Sequence, residues 1–357
     1  LQAKAKLRVV DPSYKSSDND VNDSQARLVL KKRLFDFGYT DSVQGVAQAA
    51  QQISQWQLQQ AQQQHRLDIM QAFFEVILSD LAFARDNEAL SIAFIRADRT
   101  RQRSELGQFS EVEVLRTEAQ YQAVRRQRYA SEAQQRIARS QLAIAMGRPQ
   151  DLAAELVVPD IILPELPEDD FAHYWQTVLR GNTALQGLRA QVQVARNKVQ
   201  VARKSYGPII SAEVEAAAYN RATSSTHPLA AGLLLEMPLY TGGAKDAAVA
   251  KASAELRAVE AELAAAQLRV RQEALALWLQ RGIARVDIEA FTAAGDYRDV
   301  YLDRSRALYE LEVKSDLGDA MVQASAVRHD HAKVLFAWAM LDAKLRTLQG
   351  DGAIPTK

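Results

Sequence analysis

The sequence predicts a mainly α-helical fold with a small β part, built as two internal repeats, each a pair of β-strands leading into a long helical hairpin. Three observations carry this reading. First, Leu34-Phe35-Asp36-Phe37-Gly38 is echoed by Leu239-Tyr240-Thr241-Gly242-Gly243, and Glu105-Leu106-Gly107-Gln108-Phe109-Ser110 by Glu310-Leu311-Glu312-Val313-Lys314-Ser315, both 205 residues on. Second, apolar residues between these landmarks recur at 3-4-3-4 spacing. Third, apolar and polar residues alternate with period two ahead of each helical stretch.

The first repeat covers residues 1–147. Its strands are expected at 1–10 and 24–36. Leu1, Ala3, Ala5, Leu7 and Val9 alternate with Gln2, Lys4, Lys6 and Arg8; after a polar loop, Ala26, Leu28, Leu30 and Leu34 oppose Gln25, Arg27, Lys31 and Arg33. The helical hairpin is expected at 40–147. Val43, Val46, Ala50 and Ile53, then Leu67, Met70, Phe74, Ile77, Leu81 and Ala84, form heptad seams, and no proline falls between Thr40 and Glu105. At 1.5 Å per residue such a helix is about 100 Å long. A turn at Leu106 to Phe109 sends a shorter helix back, from about Ser110 to Met146. A constant offset without insertions suits long helices, because one inserted residue would rotate the apolar stripe.

Residues 148–205 read as a linker and lead-in helix. Pro149, Pro159, Pro164 and Pro167 punctuate it, with a short helix at Phe171 to Leu179 and a longer one at Thr183 to Ser205. The second repeat covers 206–357, with strands expected at 208–219 and 229–239 and a hairpin at 244–349. Ile210, Ala212, Val214 and Ala216 oppose Ser211, Glu213 and Glu215; Leu233, Leu235 and Met237 flank Leu234 and Glu236. Repeat logic expects a counterpart of residues 148–205 ahead of Leu1, preceded in the gene by a signal peptide.

Composition narrows function. Lys plus Arg number 44 and Asp plus Glu 44, so no global charge draws the chain to nucleic acid. Cysteine is absent, which removes disulfides, zinc-thiolate sites and a cysteine nucleophile. No run of 18 apolar residues offers a transmembrane helix. Runs of about ten alternating residues match a transmembrane β-strand, although a surface hairpin of a soluble sheet has the same pattern. If the strands do span a membrane, four cannot close a barrel, and an open edge in lipid leaves backbone groups unpaired. Chains must then share the barrel. Two copies would supply eight strands, whose interior side chains fill; three would supply twelve and leave a pore.

In its order of parts the chain resembles the TolC-type outer-membrane efflux and secretion channel family over essentially its whole length. The resemblance rests on the two-copy layout, the strand exit Met237-Pro238-Leu239-Tyr240-Thr241-Gly242-Gly243, and the hairpin tip Leu106-Gly107-Gln108-Phe109-Ser110-Glu111-Val112. The spacer Leu163-Pro164-Glu165-Leu166-Pro167 and the step Tyr206-Gly207-Pro208 add to it. It implies a homotrimer with a 12-stranded outer-membrane barrel and an α-helical periplasmic tunnel, residues 148–205 lying in the equatorial region. It also implies partners: outer-membrane lipid, a periplasmic adaptor, and an inner-membrane pump or ABC transporter, as in a tripartite efflux pump or type I secretion system. By the same analogy Leu106, Gly107 and Ser110, with Leu311, Glu312 and Ser315, correspond to adaptor-docking turns. Tyr309, Lys314, Asp316 and Asp319 fall where a periplasmic aperture would lie. Two departures stand out: Glu312 where glycine is usual, and Gly318 at a position often acidic.

Lys4, Lys6, Arg8, Arg27, Arg33, Glu213, Glu215 and Glu236 are the candidates to line a barrel lumen, and opposite charges on adjacent strands could pair. No enzyme is expected: no Ser-His-Asp or paired-carboxylate cluster stands out, no cofactor motif is present, and Gly242-Gly243 lacks the spacing of a phosphate loop. His329 and His331, two apart on a helix, make a poor metal pair; His65, His173 and His227 are isolated. Trp56, Phe73 and Trp278 read as seam or core. Two alternatives compete, a soluble coiled-coil scaffold and the periplasmic adaptor itself. The scaffold leaves the strands unexplained, and an adaptor should carry a lipoyl-like β domain between its hairpin arms.

Overall fold

A computed structural model of the chain describes the backbone of 2–6 and residues 24–152, 155–163, 170–219, 227–311, 313 and 316–351. The element order is β1 (Gln2–Lys6), β2 (Gln25–Phe35), α1 (Tyr39–Glu105), α2 (Glu111–Ala145), α3 (Phe171–Gly181), α4 (Thr183–Lys204), β3 (Ile209–Tyr219), β4 (Leu229–Glu236), α5 (Ala244–Glu310) and α6 (Leu317–Leu348). The described elements follow the expected order; of the strand expected at 1–10, residues 1 and 7–10 lie outside the described residues. The two long helices each hold 67 residues, and both of their ends keep the 205-residue offset. No described helix is long and apolar enough to cross a membrane.

Contacts divide the chain into two compact units, each drawing on both sequence repeats. One comprises Leu1–Gln55 with Gly187–Ala265, the other Trp56–Gln186 with Ala266–Lys357.

The first unit is organised by a four-stranded antiparallel sheet in the order β1-β2-β3-β4. β2 ends in a bulge: Arg33 pairs with Ser211, and Phe35, not Leu34, pairs with Ile210. β4 stops at Glu236, short of the expected residue 239; Pro238, with no N–H, cannot extend a ladder. Beyond the bulge Asp36 caps α1. Its buried carboxylate accepts the Thr40 backbone N–H at 3.1 Å and the Thr40 hydroxyl, and Arg33 donates to it at 3.2 Å. These bonds hold the Asp36 carboxyl below its ordinary value. Phe37 then takes φ 53° and Gly38 φ 81°, and the repeat-related Gly242 and Gly243 take 58° and 83°. Phe37 is the one non-glycine residue with positive φ among the described residues, at a backbone strain of about 1–2 kcal/mol.

Within this unit α4 is secured to the start of α1. Lys204 Nζ donates to the Gly38 carbonyl at 3.2 Å, and a Cβ on Gly45 would lie 3.2 Å from Asn197 Nδ2. Ala49 is buried, whereas Val43 of the expected seam is 41% exposed. The packed face of α1 thus carries Gly45 and Ala49, where α4 comes close, with Val46 and Ile53 of the expected seam half-buried beside them.

The second unit is a helical bundle with four buried clusters. Phe74 stacks on Phe336 at 4.4 Å between centroids, with Ile77, Ala284, Ile288, Trp338 and Ala339 around them. Burying side chains of this size contributes about 1.5–3 kcal/mol each. Val76, Ala138 and Leu142 join α1 to α2, and Leu302, Ala320 and Ala324 join α5 to α6. In the fourth cluster α3 lays Tyr174 and Val178 against Ala274 and Leu345. The Tyr174 hydroxyl donates to the Leu345 carbonyl at 2.9 Å, and burial pushes its pKa well above the usual phenol value. Trp278 borders that cluster, with the Arg281 guanidinium over its ring at 4.8 Å, and Phe73 packs on the first; both are core residues, as read from the sequence. Arg281 also donates to Asp342 at 3.1 Å, both largely buried.

Candidate functional site

Two places hold the residues singled out by the sequence: the sheet of the first unit and the hairpin turns of the second.

Strand register sorts the sheet into two faces, because residues directly opposite in an antiparallel pair share a face. Arg27, Lys31 and Arg33 of β2 pair with Ala217, Glu213 and Ser211 of β3, and Ser211 and Glu213 pair in turn with Leu234 and Gly232 of β4. Arg27, Lys31, Arg33, Glu213, Glu215 and Glu236 therefore share one face. In β1, Lys4 stands opposite Arg27 and Lys6 opposite Gln25 in register; Arg8 lies outside the described residues. The charges meet as pairs. Arg27 Nε lies 3.0 Å from Glu215, Lys31 Nζ donates to Glu236 at 2.7 Å across β3, and Arg33 reaches Asp36. Lys31, which sequence reasoning placed among the polar alternates but not among the lumen candidates, is central here because its register puts it directly opposite Glu213.

The opposite face carries Leu28, Leu30, Val214, Leu229, Leu233 and Leu235, each at least 43% exposed. One charge interrupts it: Lys32, exposed and opposite Ala212, three residues before the end of β2. An exposed apolar face of this extent, backed by a charged one, reverses the layering of a soluble sheet, which buries its apolar side. Among the described residues, both edge strands, β1 and β4, leave backbone groups free to pair with a further strand.

The first hairpin turn is built by Gly107. Its φ of 73° lets the chain reverse directly after α1, and its N–H donates to the Ser104 carbonyl at 2.9 Å while Gln108 donates to Arg103 at 2.9 Å. Ser110 opens α2 as its N-cap, its hydroxyl accepting the Glu113 N–H at 3.3 Å. Leu106 and Val112 stand 74% exposed on either side. At the second turn Leu311 is 71% and Val313 69% exposed, and the Val313 N–H donates to the Leu308 carbonyl at 3.0 Å. Glu312, Lys314 and Ser315 lie outside the described residues.

The remaining aperture candidates are dispersed. Tyr309 is exposed; Asp316 accepts from the Tyr301 hydroxyl at 3.0 Å; Asp319 receives Arg96 of α1 through both carboxylate oxygens, at 2.9 and 3.0 Å. Nothing in the sequence marks Arg96 as the partner of Asp319, 223 residues away, or Tyr301 as the partner of Asp316 across the hairpin turn, 15 residues on. Gly318 lets α6 touch α1: a Cβ there would lie 2.5 Å from Ile92 Cδ1, so any larger residue would require the Ile92 side chain to shift. His329 contacts Asp330, and His331 contacts Thr292.

With this geometry established, comparison with known proteins is informative. The chain is similar in fold to the outer membrane channel CmeC of Campylobacter jejuni, with TM-score 0.78 and 13% identity over 98% of this chain and 77% of that one. It is similar to the outer membrane protein VceC of Vibrio cholerae, with TM-score 0.73 and 18% identity over 98% and 85%. It is also similar to the open state of the MtrE outer membrane channel of Neisseria gonorrhoeae, with TM-score 0.73 and 16% identity over 98% and 80%. No curated protein matches it in sequence. The model of the outer membrane efflux protein family matches residues 175–351. The expected resemblance to TolC-type channels thus holds: residues 175–351 match the outer membrane efflux protein family model, and the chain as a whole shares the fold of these outer-membrane channels.

Proposed function

We propose that the chain is one subunit of a homotrimeric, passive export duct of the outer membrane that extends into the periplasm. The observation that carries this is the four-stranded sheet with one exposed apolar face, one charged face and two free edges. Lipid would cover the apolar face and water the charged one. Three copies, each edge β4 pairing with the next β1, would close twelve strands around a pore, with the starts of α1 and α5 continuing its wall. Ion pairs of Arg27 with Glu215 and Lys31 with Glu236 offset part of the basic charge that β1 and β2 bring to the charged face. The energy for transport would come from an inner-membrane pump or ABC transporter, reached through a periplasmic adaptor at the turns of the hairpins. Efflux and type I secretion both fit this duct.

The short connection between α1 and α2, residues 106–110, argues against the adaptor alternative, which needs a β domain between its arms. A soluble scaffold would have no use for the exposed leucines of β2 and β4. The test is the protein's mass in detergent micelles, with bound detergent subtracted. Three copies are expected, and a stable monomer or dimer would overturn the shared barrel. Extraction from cells separates the scaffold reading, because the duct needs detergent and a scaffold does not.

A further inference from the structure

Phe37 stands in a conformation that its counterpart gives to glycine. At the strand-to-helix junction of the first repeat φ runs 53° then 81°, at Phe37 and Gly38; at the second junction it runs 58° then 83°, at Gly242 and Gly243. The backbone is the same, so the aromatic ring is the difference. Gly242 has open space where a Cβ would go, so room for a side chain does not distinguish the two positions. A bulky residue in the left-handed region is strained, and such strain persists where the side chain has a use. The core is not that use, because 51% of Phe37 remains exposed. Its ring rests edge-on against Phe35, with centroids 4.7 Å apart, and Phe35 is itself 52% exposed. The bulge pairs Phe35 with Ile210, on the apolar face of the sheet.

We propose that Phe37, braced by Phe35, is a lipid anchor that sits at the boundary between headgroups and acyl chains and fixes the depth of the strand-to-helix junction in the bilayer. The proposal rests on the reading of the sheet as membrane-spanning. A second observation puts the boundary at the same level. Lys32 breaks the apolar face just before the junction, where a lysine can carry its ammonium up to the headgroups but could not lie at the midplane. Aromatic rings beside a lysine suit an amphipathic boundary better than either water or hydrocarbon. The repeat-related Leu239 and Tyr240 are 92% and 90% exposed, so the second junction presents an apolar pair of its own and lacks only the added ring.

The absence of cysteine makes the test direct. Phe37→Cys, Leu30→Cys and Glu213→Cys are each labelled with a nitroxide and reconstituted in vesicles of phosphatidylethanolamine and phosphatidylglycerol. Collision with oxygen and with a water-soluble nickel chelate is then measured by electron paramagnetic resonance. The oxygen-to-nickel ratio should be high at 30, low at 213 and intermediate at 37. A ratio at 37 equal to that at 213 means the side chain faces water, and shielding from both reagents means a neighbouring copy covers it; either overturns the anchor. A low ratio at 30 would instead bring down the membrane reading itself. In parallel, Phe37→Gly relieves the backbone strain. An anchor predicts that the oxygen-to-nickel ratio of a nitroxide at Lys32→Cys shifts several-fold when Phe37→Gly is added, whereas an unchanged ratio would overturn it.

Discussion

Gly181 and Gly350 meet with no room for a methyl group between them. A Cβ on Gly181 would fall 1.8 Å from the Gln349 carbonyl oxygen, and one on Gly350 would fall 2.3 Å from that of Gly181. The contact lets the ends of α3 and α6 abut, and around it Asn182 donates to the Leu348 carbonyl at 3.2 Å and Gln63 to that of Gly350 at 3.4 Å. Gly181→Ala should therefore separate the two helix ends and destabilise the second unit by about 1–3 kcal/mol, the usual range for overpacking. Gly295 is the internal contrast: it lies inside α5 with nothing near its missing Cβ, so Gly295→Ala should stabilise by about 0.5–1 kcal/mol through helix propensity alone. Denaturant melts of the two variants would read the difference, and equal shifts would mean that the contact is unimportant. Nothing in the sequence announces it, because the two glycines are far apart and sit in no motif. The glycines of the hairpin tip and strand exits, by contrast, stand at landmarks of the repeat, and Gly107, Gly242 and Gly243 do take positive φ.

At the scale of elements, the periodic signals were legible and the pairings were not. Helix ends followed from the repeat, from caps such as Ser110, and from the prolines between the copies. Alternation separated apolar from charged positions in each strand, but register decided which charges meet. The partners Arg27 with Glu215 and Lys31 with Glu236 depend on how three strands align, which no single strand encodes. The heptad reading of Val43 to Ile53 found real helical periodicity: Val46 and Ile53 are half-buried, Val43 and Ala50 are exposed, and the closest packing falls beside them at Gly45 and Ala49. The two faces of the sheet make opposite predictions for substitution. Leu30→Arg puts a charge in the middle of the apolar face, at up to about 2–4 kcal/mol if that face meets the centre of a bilayer. Glu213→Gln alters a half-buried charge on the other face and should change stability by no more than about 1 kcal/mol. The yield of membrane-inserted oligomer should fall sharply for the first and little for the second. Similar losses from both would mean that the faces are assigned the wrong way round.

For the whole molecule, if the strands assemble the duct and the turns dock an adaptor as proposed, the division into two units gives mutation a way to tell the two roles apart. The strands belong to the first unit and the hairpin turns to the second, so a turn variant that spoils export need not touch the sheet. Gly107 is the sharpest target. Its Cβ position is open, so a substitution meets no clash and acts through φ, at roughly 1 kcal/mol for an alanine held in the left-handed region. That is small against a turn closed by two backbone hydrogen bonds and a capped return helix, and Gly107→Ala should leave both assembly and export close to normal. Gly107→Trp adds a large ring between Leu106 and the cap at Ser110, on a surface already 74% exposed at Leu106. If an adaptor seats there, Gly107→Trp should leave oligomer yield unchanged and abolish export when coexpressed with the cognate adaptor and pump. Glu312→Gly tests the other turn, which already accepts a side chain at the equivalent position, and should do less harm than Gly107→Trp. Normal export by Gly107→Trp would remove the tip as the docking site and leave the helical walls of the hairpins as the surface an adaptor must grip.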